Sequence, residues 1–472
     1  MTKRICVYIL LLVWGWAGQS GVVAQSRPLS LWDAIVAAEG GNHAIAVAES
    51  AVDVAKAEQG VIESVWYPTL TLAGEYSHTT TEIGLSTTIG EVVGGVLGDL
   101  EGLFAGIPPV ESVLQSVGST EVGIDFIPRN TASVGLDLVW PVMSGGKRIG
   151  ATRIAKQMVA LAQQGASQTT ARVRCEVIGA YFGLSLASEV VTLMTQRVDA
   201  LRRHAYNSQR LTEEGMITPT ENLVARVAVE QATTALYQAQ RDRNVTLRVL
   251  CTAMGEEVSE IIPTTPLFMP DSLPSEDFFT NALGENSTLR SLDIQQNIAT
   301  QQVRIEQGSY LPQVALLASQ RLWSEGLNDQ LFPKTFVGVG VSWTLFDGLG
   351  REKRVARSKA TLRSTEAART EAQDQISIAI ERLYLGIQTA ISEFEALSTT
   401  EKLAQELANS RRKSFAEGVA TSTEVVDAEV VLSEARLAKV ATLYAIDTSL
   451  ATLLMLCGQD ENYINYISYE KQ

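Results

Sequence analysis

The sequence predicts an α+β membrane protein assembled from two copies of one structural unit. Three observations point to it: an ungapped internal repeat, ten-residue segments of period-two alternation bounded by aromatics, and two proline-free helical runs of about 65 residues. Tyr181-x-Gly183 recurs as Tyr384-x-Gly386. Glu214-Gly215-Met216-Ile217-Thr218-Pro219-Thr220-Glu221 recurs as Glu417-Gly418-Val419-Ala420-Thr421-Ser422-Thr423-Glu424, and both pairs lie 203 positions apart. The same offset links Trp140 to Trp343 and Gly255 to Gly458. A constant register over such a span marks one unit used twice, and a repeat decides architecture before any local motif does. The chain divides accordingly into residues 25–262 and 263–460, followed by a tail at 461–472.

The first element is a targeting segment. Lys3 and Arg4 form a basic start, Ile5 to Trp16 an apolar run, and Val22-Val23-Ala24 a small-residue cleavage site. That run is too short to span a bilayer, so residues 1–24 read as a secretory signal peptide. Cys6 lies inside the run, and no lipid-attachment cysteine follows it. Removing Lys3 and Arg4 takes the net charge from −15 to −17, which disfavours nucleic-acid partners. Cys175, Cys251 and Cys457 remain in the mature chain, an odd number at non-equivalent repeat positions that argues against a disulfide framework. No uninterrupted apolar twenty-mer follows the signal, so the expected membrane crossing is by strands and not by a helix.

Each unit then reads helix, strand, loop, strand, very long helix, turn, long helix. The first helices, at residues 31–65 and 275–309, end at Trp66-Tyr67-Pro68 and Tyr310-Leu311-Pro312, where proline removes a donor and favours extended backbone. Leu70, Leu72, Gly74 and Tyr76 alternate with Thr69, Thr71, Ala73, Glu75 and Ser77. The returning strand sets Val134, Leu136, Leu138 and Trp140 against Ser133, Gly135 and Asp137. In the second unit Val314, Leu316 and Ala318 oppose Gln313 and Ser319, while Val337, Val339, Val341 and Trp343 oppose Gly338, Gly340 and Ser342. Such alternation suits a lipid-facing barrel strand, and equally a half-buried sheet of a soluble domain. The aromatics favour the membrane: Trp66, Tyr67 and Tyr310 precede the strands at the level where Trp140 and Trp343 leave them, forming one belt at one rim. Between its strands the first unit is 41 residues longer than the second, with the excess in a Gly- and Thr-rich loop at 79–130.

The long helices, 147–212 and 351–415, would each extend near 100 Å. Val173, Val177, Tyr181, Leu184, Val191 and Met194 match Ile376, Ile380, Tyr384, Ile387, Phe394 and Leu397 as a three-and-four-spaced apolar stripe. Gly215 and Gly418 break the rods, and Thr220 and Thr423 are placed to cap the returning helices, which run to Gly255 and Gly458. One antiparallel partner cannot cover a stripe of this length, and four strands cannot close a barrel. Both shortfalls are met by oligomerisation around a common axis.

With strands leading into Ser144-Gly145-Gly146-Lys147-Arg148 and Phe346-Asp347-Gly348-Leu349-Gly350-Arg351, and the long helices after them, the mature chain resembles the TolC family of outer membrane efflux proteins. The resemblance implies a homotrimer with a 12-stranded transmembrane barrel, four strands per chain, continued by a long periplasmic α-helical barrel of coiled-coil hairpins. It implies an exit duct for tripartite efflux or type I secretion, passive itself and joined through a periplasmic adaptor to an inner-membrane pump of RND, ABC or MFS type. Adaptor docking then falls on Gly215, Met216 and Thr218 and on Gly418, Val419 and Thr421. An acidic ring at the periplasmic gate falls on Glu424 and Asp427, with Glu221 on the other hairpin. Trp66, Tyr67, Trp140, Tyr310 and Trp343 become membrane-interface aromatics. One departure concerns Ala420, which stands where the family's best-known member holds its closed tip with a basic residue. Val224 stands opposite Asp427 in the repeat, leaving the acidic face one-sided.

Other chemistry is set aside. Gly145-Gly146-Lys147-Arg148 lacks the first glycine of a phosphate loop, where Pro141 stands, and no Ser or Thr follows Lys147. His43, His78 and His204 have no metal-ligand spacing, and no nucleophile elbow occurs. Neither an enzyme nor a cofactor is expected. The competing function is a periplasmic coiled-coil structural protein whose strands form a small soluble sheet. Cargo is left open, because a duct of this kind takes its selectivity from the pump.

Overall fold

A computed structural model of the chain describes residues 27–80, 83–88, 121–127, 129–326 and 333–467. The signal segment, most of the 79–130 loop and the last residues of the tail lie outside the described residues. The chain packs as two units, one from residues 57–156 and 298–362, the other from the remainder.

The smaller unit is built around an antiparallel sheet. Its strands are β2 (Thr69–His78), β5 (Asn130–Ser144), β7 (Gln313–Glu325) and β8 (Thr335–Ser342), in that spatial order. Directly opposite residues in a sheet share a face. Leu70 faces Leu138, Leu138 faces Ala318, and Ala318 faces Val337. Trp140 faces Leu316, which faces Val339. The alternation therefore sums to one apolar surface across four strands. Thr71, Asp137 and Ser319 pair in turn on the opposite face. Leu70, Leu72, Val337, Val339 and Val341 are 64–69% exposed, so this chain alone does not cover that surface. Pro141 has no donor to give, and the β5–β7 ladder shifts register between Pro141 and Met143. Strands β2 and β8 are the open edges. The first unit's long loop contains a further hairpin, β3 (Ile83–Thr88) with β4 (Glu121–Ile127), which the sequence alternation did not indicate.

The larger unit is helical. Helix α3 (Lys147–Glu213) and helix α7 (Gly350–Ala416) contain 67 residues each, within one residue of the expected bounds at both ends. Their returning partners are α4 (Pro219–Met254) and α8 (Ser422–Leu456). The expected first helices are both interrupted. One divides into α1 (Leu31–Gly41) and α2 (His43–Glu63). The other divides into α5 (Glu276–Asn281), a 3-10 turn at Ala282–Glu285, and α6 (Ser287–Gln307). Asparagine causes each break. Asn42 Nδ2 donates to the Ala253 carbonyl at 2.7 Å while its Oδ1 accepts from Ala44 N. Asn286 does the same with the Leu456 carbonyl at 2.7 Å, and its Oδ1 accepts from Thr288 N and Leu289 N. Each asparagine thus caps one helix and satisfies an orphan carbonyl at the end of another. Gly41 and Gly255 permit the approach: a Cβ on Gly255 would stand 2.1 Å from the Gly41 carbonyl oxygen.

The stripe is the core. Val173, Val177, Tyr181, Leu184, Ile380, Tyr384 and Ile387 are buried, together with Leu250 of α4 and Ile446, Leu450 and Leu454 of α8. Helices α3 and α8 each contain a stretch apolar and long enough to cross a membrane by length and composition, and Val173, Val177, Tyr181 and Leu184 of α3 and Ile446, Leu450 and Leu454 of α8 are buried in this core. A short parallel pairing of β1 (Arg27–Leu29) with β6 (Ile261–Pro263) closes one side, where the Tyr181 hydroxyl donates to the Leu29 carbonyl and accepts from Thr265 N, both at 2.8 Å. Asp447 of α8 is fully buried in the same core. Its Oδ2 accepts from Phe268 N at 3.4 Å, and its Oδ1 has no partner among the described residues. Burial pushes this carboxyl up to about 8. Farther along, small residues close the two hairpins: Ala228 and Ala232 meet Val198 and Leu201, and Ala404 and Ala408 meet Ala428 and Leu432.

Candidate functional site

Two regions hold the expected site residues: the hairpin tips in the helical unit and the aromatic rim in the sheet unit. At the tips, Gly215 and Gly418 both adopt φ of +75°, the left-handed region that glycine enters without strain. The helices restart at Thr218 and Thr421, not at Thr220 and Thr423. Pro219 explains the first case, since its fixed φ suits the first helical position and leaves the cap to its neighbour. Thr421 forms a reciprocal capping box with Glu424: Glu424 N donates to Thr421 Oγ1 at 3.3 Å, and Thr421 N donates to Glu424 Oε2 at 2.8 Å. Met216 and Val419 project from the turns 62% and 79% exposed, an unusual position for apolar side chains.

The three expected gate carboxylates do different jobs. Glu424 holds its cap and meets Arg411 of α7 at 3.2 Å. The Thr421 N–H, with Arg411 behind it, keeps that carboxyl below the usual range. Glu221 reaches across to the other hairpin, where its Oε2 accepts from Ser422 N at 2.6 Å. It therefore satisfies an orphan N–H at the start of α8. Asp427 is exposed. His204 of α3 was set aside in the sequence, yet it is buried beside this junction. Its Nε2 lies 3.2 Å from Ser422 Oγ, and its ring meets Phe415 edge-on at 4.5 Å. Burial pushes its imidazole down to about 4, against an opposing pull from Glu221.

The rim is built twice with the same parts. Trp140 Nε1 donates to the Trp66 carbonyl at 3.0 Å, and Trp343 Nε1 donates to the Tyr310 carbonyl at 3.1 Å. Beneath each lies a buried arginine: Arg148 sits 4.1 Å from the Trp66 ring centroid and Arg351 sits 4.9 Å from that of Tyr310. Arg148 also donates to the Pro141 carbonyl, and Arg351 to the carbonyls of Thr344 and Leu345 at 2.8 Å. These arginines tie the end of each strand to the start of each long helix. Both close the quoted strand-to-helix motifs and stand 203 positions apart in the repeat, but their role is visible only in the fold. Tyr67 is 72% exposed at the same level.

The sequence profile of the outer membrane efflux protein family matches residues 34–256 and 279–459. The chain belongs to that family. Among curated family relatives it is similar to CyaE of Bordetella pertussis, 25% identical over 313 residues, which are 62% of this chain and 64% of that protein. It is also similar to the alkaline protease secretion protein AprF of Pseudomonas aeruginosa, 26% identical over 270 residues, 55% and 56% of the two chains. The chain thus aligns with less than two thirds of the length of either relative. In fold it matches the crystal structure of CusC, with a TM-score of 0.72 over 91% of this chain and 92% of that one at 12% identity. Family membership places the chain in the outer membrane, with its helical part in the periplasm.

Proposed function

We propose that this chain is the outer-membrane exit duct of a tripartite efflux or type I secretion system, a passive conduit and not an enzyme. The observation that carries the reading is the sheet β2–β5–β7–β8: mainly apolar on one face, where Gln320 and Thr335 interrupt it, mainly polar or small on the other apart from Val139, Leu317 and Phe336, and unclosed at both edges. Unpaired strand edges are not tolerated in hydrocarbon, so β8 of one copy pairs with β2 of the next. Three copies give a 12-stranded barrel, a size that leaves a water-filled lumen. The helices support the same stoichiometry. Leu223, Val227, Tyr237, Val245 and Val249 leave an exposed apolar stripe on α4, and Ile378, Leu385, Leu403 and Leu407 leave another on α7. Each is the surface a neighbouring copy would cover. The internal duplication is supported by the equal lengths of α3 and α7 and by the paired asparagine clamps.

The adaptor docks on the tips, at Gly215, Met216 and Thr218 and at Gly418, Val419 and Thr421; the exposed Met216 and Val419 supply its apolar contact. Of the gate carboxylates, Asp427 is the freest to form a ring, while Glu221 and Glu424 add charge that capping and Arg411 partly balance. With Ala420 in place of a basic lock, the closed tip is held by the Glu221–Ser422 and Arg411–Glu424 contacts. The inner-membrane pump supplies cargo and energy, as the secretion role in AprF's name suggests for this chain's own system. The test is conductance. Purified protein added to a planar lipid film gives discrete channel steps and runs on a denaturing gel as a heat-modifiable oligomer. Release from cells by osmotic shock, with no conductance, favours the structural-protein reading instead.

A further inference from the structure

We propose that a groove at the first-repeat rim binds the ammonium group of an aminophospholipid headgroup. The groove is an open surface cleft of about 380 Å³, lined by Gly60, Glu63, Ser64, Trp66, Tyr67 and Thr152. That volume falls within the range of small-ligand pockets, roughly 300–1,000 Å³. It opens where α2 ends and β2 begins, directly before the exposed Leu70 and Leu72 of the apolar sheet face. The proposal rests on the reading that this face meets lipid. A headgroup anchored there would have its acyl chains lying along β2.

The chemistry of the lining selects a cation. Glu63 Oε1 accepts from Gln59 Nε2 at 2.7 Å, while its second oxygen has no hydrogen-bond donor among the described residues. No Lys or Arg forms an ion pair with the half-buried Glu63 among the described residues either, so its carboxylate keeps one oxygen open to a cation. Trp66 forms a fixed wall. Its Nε1 donates to Thr152 Oγ1 at 3.0 Å, its carbonyl holds Trp140, and Arg148 stacks on its ring. Tyr67 adds a second, exposed aromatic face. A carboxylate beside aromatic rings recognises an ammonium group through ion pairing and cation–π attraction. The same carboxylate repels a headgroup that carries only phosphate.

The second repeat supplies an internal control. At the matching positions Gln307 replaces Glu63, Leu311 replaces Tyr67 and Val355 replaces Thr152. The second rim keeps its own tryptophan–carbonyl bond and its stacked arginine without any of these three side chains. The groove chemistry is therefore not something the rim needs in order to fold.

The test uses the full mature chain in detergent with dioleoyl phosphatidylethanolamine or dioleoyl phosphatidylglycerol, and retained lipid is counted by native mass spectrometry. About tenfold preferential retention of the ethanolamine lipid is expected, the size of a weak ion pair combined with one cation–π contact. Glu63→Gln, alone or with Tyr67→Leu, should abolish the preference while leaving the heat-modifiable oligomer intact. Gln307→Glu should leave it unchanged. Equal retention of both lipids by the wild type, or a preference that survives Glu63→Gln, overturns the proposal. Tryptophan quenching by brominated lipid of either headgroup tests the rim separately: quenching without headgroup preference sinks the groove and keeps the rim, whereas no quenching sinks both. A Gly60→Cys variant that cross-links to another copy makes that copy the occupant, and overturns the proposal as well.

Discussion

Replacing Asp447 by Asn should reverse its effect on stability between pH 4 and pH 8. Asp447 is fully buried on α8, with Phe268 N on one oxygen and no partner for the other. Burial raises its carboxyl from 3.8 to about 8, so the folded chain keeps a proton that the unfolded chain releases. A carboxyl raised on folding stabilises least at high pH: its penalty is absent below the unfolded value and grows as pH climbs towards the folded one. At about 1.4 kcal/mol per pH unit, the penalty reaches ~4 kcal/mol at pH 7. Asparagine carries no such penalty, but between Phe268 N and the Tyr463 hydroxyl its amide leaves at least one N–H unpaired, a loss of about 1–3 kcal/mol. The variant should therefore be less stable than wild type at pH 4 and more stable at pH 8. Denaturant unfolding of the helical signal in detergent, followed by circular dichroism at both pH values, measures the difference. A wild-type-minus-variant difference that is the same at pH 4 and pH 8 would refute the reasoning.

Three further outcomes are expected. His204 is held neutral by burial, so tip stability is present above pH ~6.5 and lost as pH falls towards 4; hydrogen-exchange protection factors near 204, 415 and 422, corrected for the intrinsic pH dependence of exchange, should fall over that window and stay constant in His204→Phe. Asn42→Ala and Asn286→Ala each remove a cap and orphan a carbonyl, and each should lower unfolding stability by about 1–3 kcal/mol; Asn→Asp keeps the cap but sets a carboxylate oxygen against that carbonyl, and should not restore the loss. Glu424→Gln with Asp427→Asn should weaken cation preference in single-channel recordings, and an unchanged reversal potential would remove the acidic ring.

Much of this fold was legible because its signals are periodic. Helices α3 and α7 announced themselves by an unbroken stripe without proline, and the four main strands by alternation that the observed register joins into one face. What escaped depends on single residues or on distant partners. The breaks at Asn42 and Asn286 follow Gly40-Gly41 and Gly284, punctuation that an otherwise continuous helical pattern outweighed. Pro219 marked Thr218 as the cap, although Thr220 fitted the repeat equally well. The three-residue β1–β6 pairing joins positions far apart in sequence, and no run that short carries a period. At the tips, Glu221 and Glu424 were visible as acidic helix starts, but their cross-hairpin and capping roles arise only once two hairpins are side by side. His204 was passed over because isolation in sequence says nothing about burial. Arg148 and Arg351 could have been found, since they share the 203-residue register with Trp140 and Trp343 and follow the strand ends closely.

The most direct test of a shared barrel wall is to link its two open edges. Leu72→Cys on β2 should be combined in turn with Val337→Cys, Val339→Cys and Val341→Cys on β8, all on the apolar face. Mild oxidation in native membranes should give, for the pair in register, a ladder of bands ending at a covalent trimer. Monomer alone in all three combinations, or a ladder that stops at a dimer, would contradict closure of the wall by three copies.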